Sequence, residues 1–422
     1  MCLRLLLACM AQVNVPAHGH SPVAPRRLST QKHALVTLPD GDPFFWAADT
    51  AWNLLVKANI SEAAEYFVHR RTQGFNTVQV TATGFNGDGR GHDAGGAGYG
   101  QSMLSRNGEY PWLQSDMSPV PPPGTQGIDP AKPNPKFWTH IDSILDVASE
   151  YGFQVALWPA WGSCFVSKGG CSWDTPLHSI FNTSDAGWQW GRFIGQRYGR
   201  RPNVLYVLGG DIAQPVNPEQ RKAVYRAMAE GIAQGVAESV PGAKPSHRPA
   251  WNDTRDPLWG KQLISLHPGG KLSSSEAFGG EPWLSFNMIQ SGFGKQAYIV
   301  PLIQRDYTSY RVPTLMGEGA YERSTGYTWC GQGPIGNRST RGVTHAWGVR
   351  LNAWWSVLAG GFGYTYGSEG TWEWRNNLTD KTDPQGYALY TWREAVKFPG
   401  AGQLAHLSNL GSICSTQQLS GA

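Results

Sequence analysis

Charged residues are scarce in this sequence, and the positive and negative charges nearly cancel. Asp, Glu, Lys and Arg make up 16% of the 422 residues, and the net charge is +4. So small a net charge gives no reason to expect nucleic acid or an acidic membrane as partner. Beyond the first 19 residues no stretch is long and apolar enough to span a bilayer. We expect a monomer that binds neither nucleic acid nor a membrane.

Motifs for metals and cofactors are missing as well. There is no His-Glu-x-x-His and no paired Cys/His pattern, so no metal requirement is predicted. Glycines between Gly87 and Gly100 are not followed by Gly-Lys-Ser or Gly-Lys-Thr, which argues against a phosphate cradle. No dinucleotide fingerprint follows the first predicted strand. The sequence therefore predicts no cofactor.

The six cysteines and the first residues indicate export. Arg4 precedes a short apolar segment, residues 5–13, and small residues follow near Gly19, as in a secretory signal over residues 1–19. Its removal leaves an even number of cysteines, which favours disulfides over a metal site, with three possible pairings. These are Cys164, Cys171, Cys330 and Cys414. Five glycosylation sequons agree with a secreted, extracellular glycoprotein, at Asn59, Asn182, Asn252, Asn337 and Asn377.

Strand and helix patterns alternate along the chain. Eight short apolar runs are predicted strands, at residues 44–49, 76–81, 153–158, 203–211, 263–266, 284–289, 313–316 and 362–366. Helical patterns lie between several of them, at 61–73 with Ser61 as cap, from 135, at 184–198, from 217, and at 344–358. This order favours a (β/α)₈ TIM barrel over a doubly wound sheet. Residues 83–135 lack periodicity, and we interpret them as a long loop over the carboxyl-end face.

Two of these strands end in a carboxylate beside glycine. Asp211 follows Gly209 and Gly210, and Glu318 stands between Gly317 and Gly319. Chemistry in barrels sits at the carboxyl ends of strands, so the two side chains are candidates for the acid and nucleophile of glycoside hydrolysis. Apolar walls would raise the pKa of Asp211, and donors near Glu318 would keep it charged.

Each carboxylate also has a structural alternative. Asp211 is equally a residue type that caps turns, and Glu318 can form a buried ion pair with Arg323 or Arg350. Glu322, four residues beyond Glu318, is the rival nucleophile, and we assign it to substrate contact or to support of the site.

Aromatic residues are plentiful: 19 Trp and 16 Tyr, many beside glycine or polar residues. Their flat faces and polar handles suit sugars, although most are expected in the core. Trp52 and Trp158, at the ends of strands one and three, are predicted to line a sugar subsite. The alternative is a structural role in the first loop for Trp52 and core packing for Trp158. Glu369 and Glu373 lie among further tryptophans and are expected to be solvated.

Polar residues at other strand ends are candidate substrate ligands. His267 follows strand five and can donate to a substrate hydroxyl or to a catalytic carboxylate. Asn287 and Gln290 offer amides near the end of strand six, and Asp49 ends strand one. A purely structural role is the alternative for each of these four residues.

Six stretches together resemble the apiosidase-like glycoside hydrolases over residues 29–407. They are FWAADTAW (45–52), YVLGGD (206–211), HPG (267–269), SSS (273–275), FNMIQSG (286–292) and GEGAYE (317–322). The resemblance implies a TIM-barrel catalytic domain, with Asp211 as general acid/base and Glu318 as nucleophile. Tyr321, in the last motif, is a candidate substrate-binding residue. Many members continue into a β-sandwich after a segment like 398–401; here only a short tail, 408–422, is expected.

We therefore predict a secreted retaining glycoside hydrolase that acts on an oligo- or polysaccharide of the plant cell wall, as family members that release apiose from pectin do. Two other classes stay open. One is a non-catalytic sugar-binding barrel. The other is an ester or amide hydrolase, for which serines 273–275 near His267 are the one suggestive cluster.

Overall fold

The computed structural model describes residues 25–84, 103–119, 128–162, 181, 183–212, 218–244, 246–291, 296–310, 312–324, 344–378 and 390–408. The predicted leader, all six cysteines, the sequons at Asn182 and Asn337, and all but the first residue of the predicted tail lie outside these residues. Among the described helices, none combines the length and the apolar character that a membrane crossing requires.

The described strands and helices alternate through most of the chain. The strands are β1 (Leu28–Gln31), β2 (Ala34–Thr37), β3 (Pro43–Phe44), β4 (Trp46–Thr50), β5 (Thr77–Thr81), β6 (Trp112–Gln114), β7 (Ile128–Pro133), β8 (Gln154–Trp158), β9 (Val204–Ile212), β10 (Ile264–Pro268), β11 (Leu272–Ser273), β12 (Asn287–Gln290), β13 (Thr314–Glu318) and β14 (Gly363–Tyr366). The helices are α1 (Leu54–Lys57), α2 (Ile60–Thr72), α3 (Pro135–Glu150), α4 (Ser184–Tyr198), α5 (Pro218–Glu238), α6 (Ser275–Phe278), α7 (Ile299–Ser309), α8 (Ala346–Leu358), α9 (Trp392–Ala395) and α10 (Pro399–Gln403).

Eight of the strands are parallel and form a barrel. Their hydrogen-bonded order is β10-β9-β8-β5-β4-β14-β13-β12, and β11 adds an antiparallel strand beside β12. The open seam between β10 and β12 is bridged by the amide of Ser285, which donates to the carbonyl of Ile264 at 2.8 Å. The hydroxyl of Ser265 donates to the carbonyl of Phe286 at 2.7 Å. The predicted (β/α)₈ barrel is confirmed.

Alternation along each strand separates two hydrophobic layers. Trp46 and Ala48 of β4 point into the barrel, where they join Val207 and Met288 in one buried cluster. Ala47, between them, belongs to the larger cluster that lies between the strands and the surrounding helices. Every second residue of a strand therefore faces the helices and not the interior.

The N-cap of helix α2 lies two residues before the predicted cap. Asn59, and not Ser61, is the N-cap: its side chain accepts from the amide of Glu62 at 2.9 Å, and the Glu62 carboxylate accepts from the amide of Asn59 at 3.0 Å. This reciprocal capping box satisfies two amides that the first turn leaves unpaired. Asn59 displaces Ser61 because its position completes the box with Glu62.

The long loop predicted at residues 83–135 contains some regular structure. Its described part includes an antiparallel ribbon in which β6 pairs with β7. The prediction of a structureless segment was therefore wrong for these strands. Neither shows periodicity, because β6 has only three residues and β7 contains two prolines. The remainder, residues 85–102 and 120–127, lies outside the described residues.

Candidate active site

Asp211 stands on a bulge at the end of β9. His267 of β10 pairs with Gly209, but the next residue, Pro268, pairs with Ile212, so Gly210 and Asp211 are left out of the ladder. The φ angles of Gly209, Gly210 and Asp211 are +83°, +124° and +49°. A Cβ on Gly210 would lie 2.6 Å from the ring of Trp161, so a side chain does not fit there. Aspartate is one of the few residues other than glycine that adopts the left-handed conformation.

Glu318 reaches the same face by a similar shift of register. Ile289 of β12 pairs with Met316, but Gln290 pairs with Glu318, so Gly317 is the extra residue. A Cβ on Gly317 would meet the side chain of Met288 at 2.3 Å. Both carboxylates thus follow a glycine at a bulge, a feature that re-aims a side chain next to active sites.

The two carboxylates and His267 form one cluster. One oxygen of Asp211, one oxygen of Glu318 and one ring nitrogen of His267 all lie within 4.8 Å of one another. Glu318 is 5% exposed, and Asp211 keeps more of its surface open. Two carboxylates and an imidazole can also contact a divalent cation. Glycoside hydrolysis needs none, and the sequence-based expectation of no metal requirement stays a prediction.

Gln290 links the two carboxylates. It ends β12, and its Nε2 donates a hydrogen bond of 2.8 Å to Oδ1 of Asp211. Its backbone lies opposite Glu318, whose carbonyl accepts from the amide of Ser291 at 3.1 Å. The side chain is 4% exposed. The structure therefore brings this candidate into the site.

His267 is enclosed by tryptophans. Its ring is 5.7–5.8 Å, centroid to centroid, from each of Trp52, Trp158 and Trp161, and it has no exposed surface. Nε2 lies 3.2 Å from Oε2 of Glu318, although the orientation is not that of a hydrogen bond. Burial lowers the pKa of His267 to about 4, against a smaller opposing effect from Asp211, so the imidazole is neutral at physiological pH.

Trp52 and Trp158 are buried beside the carboxylate cluster. Trp52 is 2% exposed and Trp158 is fully buried, and their rings meet edge to face at 4.7 Å. Both belong to the cluster inside the barrel. They form part of the wall around His267. For Trp158, a role in core packing and a role in a sugar subsite both agree with this position.

Burial raises the pKa of both carboxyls. The pKa of Asp211 rises to about 7, through burial and then through the negative charge of Glu318. The pKa of Glu318 rises to about 8, because burial outweighs hydrogen bonds from Gln290 and Tyr321 that favour its ionised form. The expectation that donors keep Glu318 charged is corrected accordingly. Between about pH 7 and 8 the coupled pair shares about one proton, and the form that carries it on Asp211 is the one with both an acid and a nucleophile.

Asp49 lies outside the cluster. Its Oδ2 accepts from the hydroxyl of Tyr66 at 2.7 Å and from Nε of Arg70 at 2.6 Å, and Asp49 and Arg70 are fully buried. Ala48 faces the barrel interior, so the next residue, Asp49, faces the helices. Both of its partners therefore lie on α2. We therefore replace the predicted substrate contact by a structural ion pair.

Asn287 is at the wrong end of its strand for substrate. The strand β12 begins at Asn287, which pairs with Thr314, and ends at Gln290. Three residues of extended chain place it about 10 Å from the carboxyl end. The prediction of a substrate contact by Asn287 was wrong, since the strand begins later than residue 284.

Glu322 joins two distant segments. Its Oε2 accepts from the hydroxyl of Tyr366 at 2.6 Å, and its Oε1 accepts from the amide of Gly400 at 3.1 Å. A Cβ on Gly400 would lie 2.3 Å from Oε2, so the fit is tight. Glu322 therefore supports the loop after Glu318 by holding it to α10.

Glu369 and Glu373 are 2% and 1% exposed, which corrects the expectation of solvated residues.

The serine cluster does not form a nucleophile with His267. Ser273 donates to Oδ2 of Asp306, and Ser275 donates to Oδ1 of Asp306 at 2.7 Å. Ser274 accepts from the amide of Met288 at 3.0 Å. An acyl-transfer serine needs a base within hydrogen-bond reach, and none of these hydroxyls is hydrogen-bonded to a ring nitrogen of His267. The contacts count against an ester or amide hydrolase.

Gln79 is a supporting residue that the sequence analysis missed. This fully buried side chain of β5 donates from Nε2 to the carbonyl of Gly317 at 3.0 Å and to the hydroxyl of Thr50 at 3.3 Å. It therefore holds the bulge that carries Glu318. A polar residue within a buried parallel strand was the available signal, because such strands are usually continuous apolar runs.

A parallel barrel with two carboxylates close together at the carboxyl ends of β9 and β13 has the design of a glycoside hydrolase of the TIM-barrel class. Comparison with known proteins agrees, since the family described as apiosidase-like, catalytic domain, matches residues 29–417. The chain belongs to this apiosidase-like family. No curated protein matches the sequence.

Solved structures share the fold. A protein titled glycoside hydrolase is 23% identical, with a TM-score of 0.66 over 93% of this chain and 76% of its own. A family 5 glycoside hydrolase from Bacteroides vulgatus is 21% identical, with a TM-score of 0.66 over 94% and 74%. A family 5 mannosidase from Rhizomucor miehei is 11% identical, with a TM-score of 0.53 over 94% and 99%.

Proposed function

We propose that this glycoside hydrolase retains anomeric configuration. The supporting observation is the separation of the carboxylates, with an oxygen of Asp211 and one of Glu318 within 4.8 Å of each other. Retaining enzymes hold their carboxyl groups about 5–5.5 Å apart, whereas inverting enzymes need about 6.5–9.5 Å to admit a water molecule between carboxylate and sugar. The close pair fits direct attack on the sugar.

In the first step, ionised Glu318 attacks the anomeric carbon while Asp211 gives its proton to the leaving oxygen. The glycosidic bond breaks and an ester bond to Glu318 forms. In the second step Asp211, now ionised, takes a proton from water, whose oxygen displaces Glu318 from the same carbon. The sum of the steps is hydrolysis, and each residue returns to its initial protonation state.

The substrate is proposed to be a pectic or related plant cell-wall glycan, and the enzyme to act outside the cell. Support for the substrate comes from the family name and from the tryptophans at residues 52, 158 and 161, which suit sugar rings. Support for secretion comes from the leader pattern at residues 1–19 and the sequons. Since unrelated linkages can share one fold, the sugar must be found by assay.

The test is hydrolysis of aryl glycosides and pectic oligosaccharides by the wild type and by Glu318→Gln. We expect the variant to lose at least about 1,000-fold in kcat while it still binds product sugars. Proton NMR of the first product should show the anomer of the substrate. A first product of the opposite anomer would refute the retaining mechanism, and unchanged turnover by Glu318→Gln would remove Glu318 as nucleophile.

A further inference from the structure

Gln290 has one polar atom without a partner at the centre of the site. Its Nε2 donates to Asp211, but its Oε1 has no hydrogen-bond partner among the described residues. Only 4% of the residue is exposed, so bulk water does not compensate. Buried acceptors are rarely left unpaired, and an exception in a native site calls for an explanation.

The position of Gln290 limits what the partner can be. Its side chain contacts Asp211, and its backbone pairs in register with Glu318. In the proposed mechanism these two groups act on the anomeric carbon and on the oxygen attached to it. A hydroxyl beside the anomeric carbon is therefore the substrate donor nearest to Oε1.

We propose that Oε1 of Gln290 accepts a hydrogen bond from the hydroxyl on the carbon next to the anomeric carbon, the 2-hydroxyl. This inference rests on the proposed function, because it needs a glycoside between Asp211 and Glu318. The enzyme then selects glycosides that carry a free 2-hydroxyl. Hydrogen bonds to this hydroxyl strengthen in glycosidase transition states, so the contact contributes to turnover as well as to binding.

The donor half of the same amide orients the acid. The carbonyl oxygen of a protonated carboxyl is its better acceptor, so a hydrogen bond accepted at Oδ1 favours the proton on Oδ2. Gln290 therefore leaves Oδ2 of Asp211 as the atom that gives a proton to the leaving group. The side-chain amide of Gln290 thus orients the acid and recognises the sugar. Its nitrogen must point toward Asp211 and its oxygen toward the substrate.

The experiment compares kcat/KM for the preferred 4-nitrophenyl glycoside and for its 2-deoxy analogue. Wild type and Gln290→Met are measured, because methionine matches glutamine in length but offers no acceptor of comparable strength. The preference for the hydroxylated substrate should fall about 10- to 100-fold in Gln290→Met, the usual effect of losing one buried hydrogen bond. Deoxy glycosides are intrinsically more reactive, but this effect is the same for both enzymes and cancels when the preference of the variant is divided by that of the wild type.

Two further variants separate recognition from folding. Gln290→Glu keeps an acceptor oxygen and should keep the preference, even if its rate falls. Asn287→Leu removes another buried amide from β12, at the opposite end of the strand, and should leave the preference unchanged. Equal preference in wild type and Gln290→Met overturns the inference, as does a loss of preference in Asn287→Leu. If wild type cleaves no glycoside, the proposed function itself fails.

Discussion

His267 and Glu318 meet at the carboxyl ends of β10 and β13, with 3.2 Å between Nε2 of the imidazole and Oε2 of the carboxylate. Burial among three tryptophans keeps the pKa of His267 at about 4, so the ring stands beside Glu318 without a positive charge. A neutral neighbour does not offset the burial of Glu318. This explains why the pKa of that carboxyl can remain raised next to a basic side chain.

The first prediction concerns pH. The pKa values of about 7 and 8 place the singly protonated pair near neutral pH. We expect kcat/KM to follow a bell with its maximum between about pH 7 and 8, because the pair loses its last proton above this range and takes up a second proton below it. The measurement is kcat/KM on an aryl glycoside from pH 4 to 10.

Asp211→Asn provides the control for this profile. The variant lacks the acid, so its residual activity should lose the fall at alkaline pH and keep the fall at acid pH. A basic limb that persists in Asp211→Asn would show that another group donates the proton.

The second prediction concerns stability. The pKa of Glu318 is raised by burial from 4.5 to about 8, so the folded state favours the protonated form. Its contribution to stability is complete below about pH 4.5 and is lost as the pH rises through about 8. Glu318→Gln should therefore raise the free energy of unfolding by about 1–4 kcal/mol at pH 9 and by little at pH 4. Denaturant titrations at both pH values measure this, and a gain of equal size at each would contradict it.

The third prediction separates Asp49 from Asp211. Asp49→Ala leaves the buried guanidinium of Arg70 without its carboxylate, and we expect a loss of about 3–5 kcal/mol in unfolding free energy. The folded fraction should keep kcat/KM within about fivefold, since Asp49 faces α2. Asp211→Asn should show the reverse, with about 100- to 10,000-fold lower kcat and unimpaired stability. A large loss of kcat in folded Asp49→Ala would return Asp49 to the substrate site.

The sequence was sufficient for the barrel and for the pair of carboxylates. Strand-end glycines flag positions where the backbone leaves its ladder, and both Asp211 and Glu318 follow one. It also pointed to Gln290, which follows the predicted strand and contacts Asp211, and the substrate contact of Gln290 stays a prediction. These signals come from residues that are adjacent in the chain, so one sequence is enough to recognise them.

The errors have two physical sources. In a strand, a change of one residue reverses the face, so Asp49 faces α2 although its neighbour Ala48 lines the barrel. A strand boundary displaced by three residues moved Asn287 from one end of the barrel to the other. The contact of Glu322 with Gly400 joins residues 78 apart in the chain, and no local pattern reports such a contact.

The central claim is that Glu318 attacks the sugar with Asp211 as its acid. The most direct measurement is labelling with a cyclitol epoxide matched to the preferred sugar, followed by peptide mass spectrometry. We predict one added inhibitor mass on Glu318, and no labelling in Glu318→Gln. Label on Glu322 or on another carboxylate, with Glu318 unmodified, would contradict the account.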